Sequence, residues 1–151
     1  KEIENFIDSH EEAPHTRILQ KLIAEFLTEL VHSKEDLENS ITASNILSGK
    51  STSEDLGKLD EKTFLDIFDG VPNVIRSKNN ITKFPLVQDF LHNAGFLSSK
   101  TEISRALKQN SISINKEKID DSYSISVKNL ICDKYILAQR GKKYYFIITI
   151  D

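Results

Sequence analysis

The chain has 151 residues, of which 38% are hydrophobic and 28% are charged. This composition is typical of a folded globular protein and excludes a disordered tail. No run approaches the ~20 apolar residues that a membrane span needs, so we expect no membrane contact. The single cysteine, Cys132, cannot form an internal disulfide, which favours a reducing cytoplasm or matrix, and we expect the cytoplasm. Because the chain contains no Met, we expect it to be part of a longer protein.

The net charge of −3 conceals an asymmetry between the two halves of the chain. Residues 1–75 hold 7 Lys and Arg against 16 Asp and Glu, a net of −9, whereas residues 76–151 hold 13 against 7, a net of +6. A basic half of this size is a candidate for binding a polyanion. The alternative is an ordinary solvent-exposed surface with an excess of basic residues.

The acidic half is predicted to be helical. Apolar residues from Thr16 to His32 recur every three to four positions, which predicts a helix with one buried stripe. Ser33 is expected to cap a second helix, which stops near Gly49, and Asp60 to cap a later one. The polar run from Val74 to Lys83, where the charge changes sign, is interpreted as a linker.

The basic half is predicted to pack two short helices against a small antiparallel sheet. Pro85 opens a helix that Gly95 stops, and Ser99 caps a second helix with Glu102 at the capping-box position. Alternating residues from Ser111 to Ile114 indicate a strand. The runs 134–139 and 144–150 predict a hairpin whose turn is almost entirely cationic.

Residues that would carry chemistry are scarce. His10, His15 and His32 do not have a spacing that builds a metal site, and the acidic runs are better explained as solvated faces than as acid–base pairs. No glycine-rich phosphate loop occurs among the five glycines. The sequence therefore predicts no catalytic residue and no metal ligand in this chain.

The residues from Ser99 to Asn110, followed by Ser113 to Ile119, resemble the alpha-L RNA-binding domain. The closing segment from Lys134 to Tyr145 is most similar to the version at the C-terminus of bacterial-type tyrosyl-tRNA synthetases. The segments 13–21, 30–33 and 43–49 are similar to the helical region that precedes that domain in the same family. The resemblance therefore covers nearly the whole chain in the family's order.

Two departures from the family pattern stand near the expected RNA surface. Where the family has a glycine pair, this chain has Asn110 and Ser111, and Asn tolerates a left-handed backbone better than most residues. Ser104 stands where the family often has Arg, which removes one expected phosphate contact.

The resemblance implies an α+β fold with a helical anticodon-binding-type segment at 1–74, a linker at 75–83 and an alpha-L RNA-binding domain at 84–151. It implies a parent enzyme that ligates tyrosine to tRNA(Tyr) using ATP and Mg²⁺ as a homodimer, with the catalytic domain as a partner of this segment. Neither the HIGH-like nor the KMSKS-like motif of class I synthetases occurs in the sequence, so the chain itself is expected to need no cofactor.

The function expected for this part of the enzyme is recognition of the tRNA anticodon stem and variable arm, mostly through shape and backbone. The alternatives are a stand-alone module for ribosomal or other structured RNA, and an interaction module whose acidic half docks on a partner domain. The expected RNA-binding residues are Lys100, Arg105, Lys108, Asn110, Lys116, Lys118, Arg140, Lys142 and Lys143.

Overall fold

The computed structural model describes residues 6, 7, 10–50 and 52–151. The chain divides into two compact units, Lys1–Ser44 and Asn45–Asp151. Within the described residues, no helix is both long enough and apolar enough to cross a lipid bilayer.

The first unit is helical. A 3-10 turn at Pro14–Thr16 leads through a left-handed Arg17 (φ 55°) into helix α1, Ile18–Val31. The next helix, α2, spans Lys34–Leu47, and its first turn is capped as predicted, because the Asp36 amide donates to Ser33 Oγ at 3.0 Å. The predicted buried stripe of α1 is wrong: none of its residues is buried, and Ile18, Leu19 and Leu22 are only half-buried. The most exposed of its apolar residues are Ile23, Phe26, Leu27, Leu30 and Val31.

The second unit contains several short helices and one sheet, which confirms the predicted α+β class. Its helices are α3 (Ser53–Gly57), α4 (Glu61–Ile67), α5 (Asn79–Lys83), α6 (Val87–Ala94) and α7 (Lys100–Lys108), with a 3-10 turn at Val127–Asn129. Its strands are β1 (Asn73–Arg76), β2 (Ile112–Ile114), β3 (Glu117–Lys118), β4 (Tyr135–Arg140) and β5 (Tyr144–Ile150).

The strands form a mixed sheet in the order β1-β5-β4-β2-β3. The β4–β5, β2–β4 and β2–β3 pairs are antiparallel, as predicted, and the β4–β5 hairpin pairs Arg140 with Tyr144 across its turn. Strand β1 adds a parallel edge beside β5, with Asn73 opposite Ile147. Between β2 and β3 the two turn residues, Asn115 and Lys116, both have positive φ, as a two-residue I′ hairpin turn requires.

Successive side chains of a strand point to opposite faces of a sheet. In this sheet both faces are covered by buried side chains. Ile136 and Ala138 of β4 lie in the same buried cluster as side chains of α6 and α7, which defines the first face of the sheet. Tyr135 and Leu137 lie in a second cluster, on the second face. The helical partners on the second face are Ile46, Leu56, Phe64 and Phe68.

The structure draws the boundaries within the chain at different places from those expected from the sequence. Instead of a linker, residues 75–83 contain the end of β1 and helix α5, whose Ile81 is buried in the core of the first face. Residues 45–74 belong to the same compact unit as the sheet, because α3 and α4 supply its second hydrophobic layer. The helical segment 1–74 is thus divided near residue 44.

Candidate nucleic-acid interface

Helix α7 presents one apolar and one cationic side because its sequence is amphipathic. Ile103, Ala106 and Leu107 are buried against the sheet, whereas Lys100, Arg105 and Lys108 are exposed. Ser99 caps the helix as predicted, accepting a hydrogen bond from the Glu102 amide at 3.2 Å. The exposed side of α7 and Gln88 of α6 line an open cleft of about 490 Å³. The other residues of this cleft are Lys100, Thr101, Ser104, Arg105, Lys108 and Gln109.

The C-terminal end of α7 leads into a second surface, which carries charges of both signs. Asn110 adopts the left-handed conformation expected for it (φ 51°), which lets the chain turn sharply into β2. Its carbonyl accepts a hydrogen bond from Lys118 Nζ at 2.9 Å. Lys108, Asn110 and Lys118 line a further open cleft of about 410 Å³, in which Asp120 and Asp121 match the two lysines in charge. Since Lys108 lines both clefts, the two surfaces are continuous.

The β4–β5 turn brings the remaining cations close to α7. Arg140, the last residue of β4, donates from Nη1 to Glu102 Oε1 of α7 at 2.7 Å. Glu102 therefore does not close the predicted capping box. Its other oxygen accepts from Ser98 Oγ at 2.8 Å, and the hydrogen bonds from Ser98 and Arg140 hold the pKa of this carboxyl below its usual range. Lys142 and Lys143 are exposed in the turn itself.

The cations differ in how far their charge is already compensated. Lys100 Nζ lies 2.7 Å from Asp89 Oδ1, and Arg140 is paired with Glu102. In the part of the chain that the structure describes, no carboxylate lies within ion-pair distance of Arg105, Lys108, Lys142 or Lys143. These four side chains are therefore the ones most readily available to an anion.

Lys116 is the one member of the expected set that the structure places elsewhere. Its ammonium donates to the Ile46 carbonyl at 2.7 Å and to the Tyr145 hydroxyl at 2.8 Å, beside the second face of the sheet. Burial lowers the pKa of Lys116 to about 8. The residue sits in a two-residue turn, and sequence alone does not distinguish a turn lysine directed at solvent from one directed inward.

The structure also shows a feature that the sequence did not predict. Tyr144 is partly exposed in an open cleft beside Arg140, whereas Tyr145 is buried on the opposite face. Strand alternation predicts that one of the two tyrosines faces the core, but it does not reveal the cleft. Among the described residues, no group of three or more His, Cys, Asp or Glu side chains is arranged to hold a metal ion.

The family model "Tyrosine--tRNA ligase SYY-like C-terminal domain" matches residues 63–148. The chain is 48% identical over 149 residues to the tyrosine--tRNA ligase of Flavobacterium johnsoniae, covering 98% of this chain and 35% of that protein. It is 46% identical to that of Flavobacterium psychrophilum and 42% identical to that of Bacteroides thetaiotaomicron, again covering 98% of this chain and 35% of each relative. The chain thus spans about a third of the length of these relatives. Because the family model matches more than half of its residues, the chain belongs to the tyrosine--tRNA ligase SYY-like C-terminal domain family.

Proposed function

We propose that this chain binds tRNA(Tyr), near the anticodon stem and variable arm, as the C-terminal part of a tyrosine–tRNA ligase. The observation that carries the proposal is the set of exposed cations on α7 and in the β4–β5 turn, two elements that the Arg140–Glu102 ion pair joins. A surface of this kind neutralises phosphates and releases their counterions, which is the main sequence-independent source of affinity for nucleic acid.

The charge distribution within the second unit indicates the side from which RNA approaches. Residues 53–69, which supply α3 and α4 on the second face, contain six Asp and Glu but only two Lys. The expected RNA-binding cations belong instead to α7, which covers the first face, and to the loops at the sheet's ends. Because like charges repel, RNA approaches from the basic side, and the acidic helices disfavour the opposite orientation.

The contribution of each cation follows from its present partner. Arg105, Lys108, Lys142 and Lys143 gain a phosphate without losing an ion pair. Lys100 and Arg140 must exchange a carboxylate for a phosphate or share it, so each contributes less. Lys118 donates to the carbonyl of Asn110, whose backbone is left-handed, and this hydrogen bond fixes the surface at the end of α7. Lys116 is excluded from the proposed RNA-binding set because its ammonium already serves two internal acceptors.

The ligation reaction is assigned to the parent enzyme, which joins tyrosine to tRNA(Tyr) using ATP and Mg²⁺. The parent enzyme is proposed to be a cytoplasmic homodimer, and its catalytic domain is proposed to lie in the part of the enzyme that this chain does not contain. The exposed apolar side of α1 (Ile23, Phe26 and Leu30 among its residues) is the surface proposed to pack on that domain.

The test is the salt dependence of binding to a tyrosine tRNA transcript. Replacing both Lys142 and Lys143 by Ala should weaken binding and flatten the slope of log affinity against log salt by roughly 0.7–0.9 for each phosphate that the variant no longer neutralises. The matched control is the double replacement of Lys58 and Lys62, which removes the same charge from the acidic segment 53–69. If the two double variants lose affinity equally, the proposed surface is wrong.

The second candidate is a stand-alone module for ribosomal or other structured RNA. The same cations would serve it, but the three relatives named above, at 42–48% identity, are tyrosine--tRNA ligases. Competition separates the two functions, because a tRNA-specific chain should prefer the tyrosine transcript over a ribosomal RNA hairpin at physiological salt. Equal affinity for both RNAs would favour the general module.

A further inference from the structure

We propose that the cleft beside Tyr144 binds one unpaired base of the RNA by stacking, a deepening that rests on the proposed function. The cleft has a volume of about 730 Å³, within the range of small-ligand sites. The α6–α7 loop forms one wall, and the strand residues that flank the β4–β5 turn form the other. Its lining residues are His92, Gly95, Phe96, Leu97, Ser98, Arg140 and Tyr144.

Tyr144 is held in a fixed position but is not buried. Its hydroxyl donates to the Phe96 carbonyl at 3.2 Å, and its ring lies 5.6 Å from the Phe96 ring at an interplanar angle of 48°. Despite these interactions, 42% of the residue's surface stays exposed, whereas Tyr145 is 8% exposed. An exposed aromatic ring whose orientation is fixed is suited to stacking, because little side-chain freedom is lost when a base binds.

Tyr144 is the first residue of β5. Tyr144 lies on the same side of the strand as Phe146, and both rings pack against Phe96. Phe146 completes the core there, so Tyr144 extends the aromatic surface beyond the core and into the cleft. The apolar floor of the cleft is thus continuous with the hydrophobic interior.

Polar groups at the rim match the edge of a nucleobase. Arg140 lies directly opposite Tyr144 in the hairpin, and its guanidinium is oriented through Nη1 by Glu102. A guanidinium has five N–H donors, so this bond leaves others for the acceptor atoms of a base. Ser98 Oγ is oriented by the same carboxylate. These groups can orient a stacked base, whereas stacking itself accepts any of the four bases.

The position of the cleft favours a base attached to a bound strand over a free small molecule. The cleft is open to solvent, and the exposed Lys142 and Lys143 immediately precede Tyr144 in the chain. Phosphates held by the turn would therefore place an adjoining base over the ring. Bases that are splayed out of loops and junctions are the ones that proteins read by stacking on aromatic side chains.

The absence of tryptophan from the chain allows a direct test. Tyr144→Trp introduces the only indole, and its fluorescence should be quenched when a tyrosine tRNA transcript saturates the protein. Tyr144→Phe keeps the ring and should retain affinity within about twofold. Tyr144→Leu keeps an apolar side chain against Phe96 but removes the stacking surface, and should weaken binding roughly five- to a hundredfold.

Val127→Ala, a change at a half-exposed apolar residue outside the cleft, is the matched control and should leave affinity unchanged. The proposal is overturned if the indole signal is unaffected at saturation, or if the Leu variant, shown to be folded by its circular dichroism, binds like the Phe variant. If either of these results is found and the double Lys142 and Lys143 variant still loses affinity, the proposed function is supported and only the role of the cleft is wrong. Failure of the unmodified chain to bind the transcript would overturn both.

Discussion

Lys116 and Tyr145 form a pair in which the ammonium is both a hydrogen-bond donor and a cation over a ring. Nζ lies 2.8 Å from the tyrosine hydroxyl and 4.5 Å from the ring centroid. The same ammonium donates to the carbonyl of Ile46, in the last turn of α2, at 2.7 Å. The last carbonyls of a helix have no partner within it, and a cation there is favoured by the helix dipole. Lys116 thus caps the end of α2.

The pKa of Lys116 predicts an unusual dependence of stability on alkaline pH. Burial lowers its pKa to about 8 in the folded chain, below its ordinary value of 10.5. Between these two values the unfolded chain binds more protons than the folded one, so the free energy of unfolding should gain a rising component as pH increases. Lys116→Met keeps a long side chain without a charge and should remove that component, as measured by urea unfolding at several pH values from 7.5 to 10.5.

Lys118→Met provides the control for this experiment. Lys118 is exposed two residues further along the chain, and its ammonium donates to the Asn110 carbonyl at 2.9 Å. Its replacement should leave the alkaline rise in place. If the free energy of unfolding of the Lys116→Met variant rises with pH as it does in the unmodified chain, Lys116 is not desolvated in the folded protein.

The second hydrophobic layer predicts where the chain can be shortened. A protein that begins at residue 45 retains Leu56, Phe64 and Phe68 over the second face of the sheet and should unfold cooperatively. One that begins at residue 75, the start of the expected linker, lacks these side chains and exposes Leu137, Tyr145 and Ile147. Because large contiguous apolar patches favour association, we expect it to aggregate or to melt without a cooperative transition.

The measurement is thermal unfolding by circular dichroism, together with the size of each protein in solution. A cooperative, monomeric chain starting at residue 75 would contradict the two-layer structure. Phe64→Ala in the longer protein offers an independent check, since removal of a fully buried Phe costs about 3–5 kcal/mol.

The sequence predicted the elements whose signals are local and missed those that depend on distant pairing. The spacing of Ile103, Ala106 and Leu107 identifies the buried side of α7 without any knowledge of the sheet. The linker predicted from Val74 to Lys83 overlaps strand β1, because the four residues of β1 carry little pattern and its partner β5 lies about 70 positions later in the chain. The near-continuous apolar run of β5 was itself a signal of a strand covered on both faces.

The candidate site shows the same division. Exposure of Arg105 and Lys108 follows from helical periodicity, and the cationic turn follows from the hairpin pattern. In contrast, the inward direction of Lys116 depends on the position of Ile46, 70 residues away. The pairing of Arg140 with Glu102 likewise joins two elements that are separated by 38 residues. Composition alone cannot show which cations already form an ion pair with a carboxylate.

The left-handed residues that flank β2 give a final prediction, because they differ in what their side chains do. Asn110 (φ 51°) is exposed, whereas Asn115 (φ 49°) is buried. The Asn115 side chain accepts from the Leu137 amide at 2.9 Å and donates to the Asn129 carbonyl. Glycine adopts positive φ without steric cost, and alanine pays about 1–2 kcal/mol for it.

Asn110→Gly should therefore change the free energy of unfolding by no more than about 0.5 kcal/mol, whereas Asn110→Ala should lower it by about 1–2 kcal/mol. Asn115→Gly should lower it by about 1–3 kcal/mol, because the buried Leu137 amide and Asn129 carbonyl lose their partner even though the backbone conformation is kept. Chemical denaturation of the three variants measures the ordering. Equal losses for the two glycine variants would mean that backbone conformation, rather than the side-chain hydrogen bonds of Asn115, determines the stability of this turn.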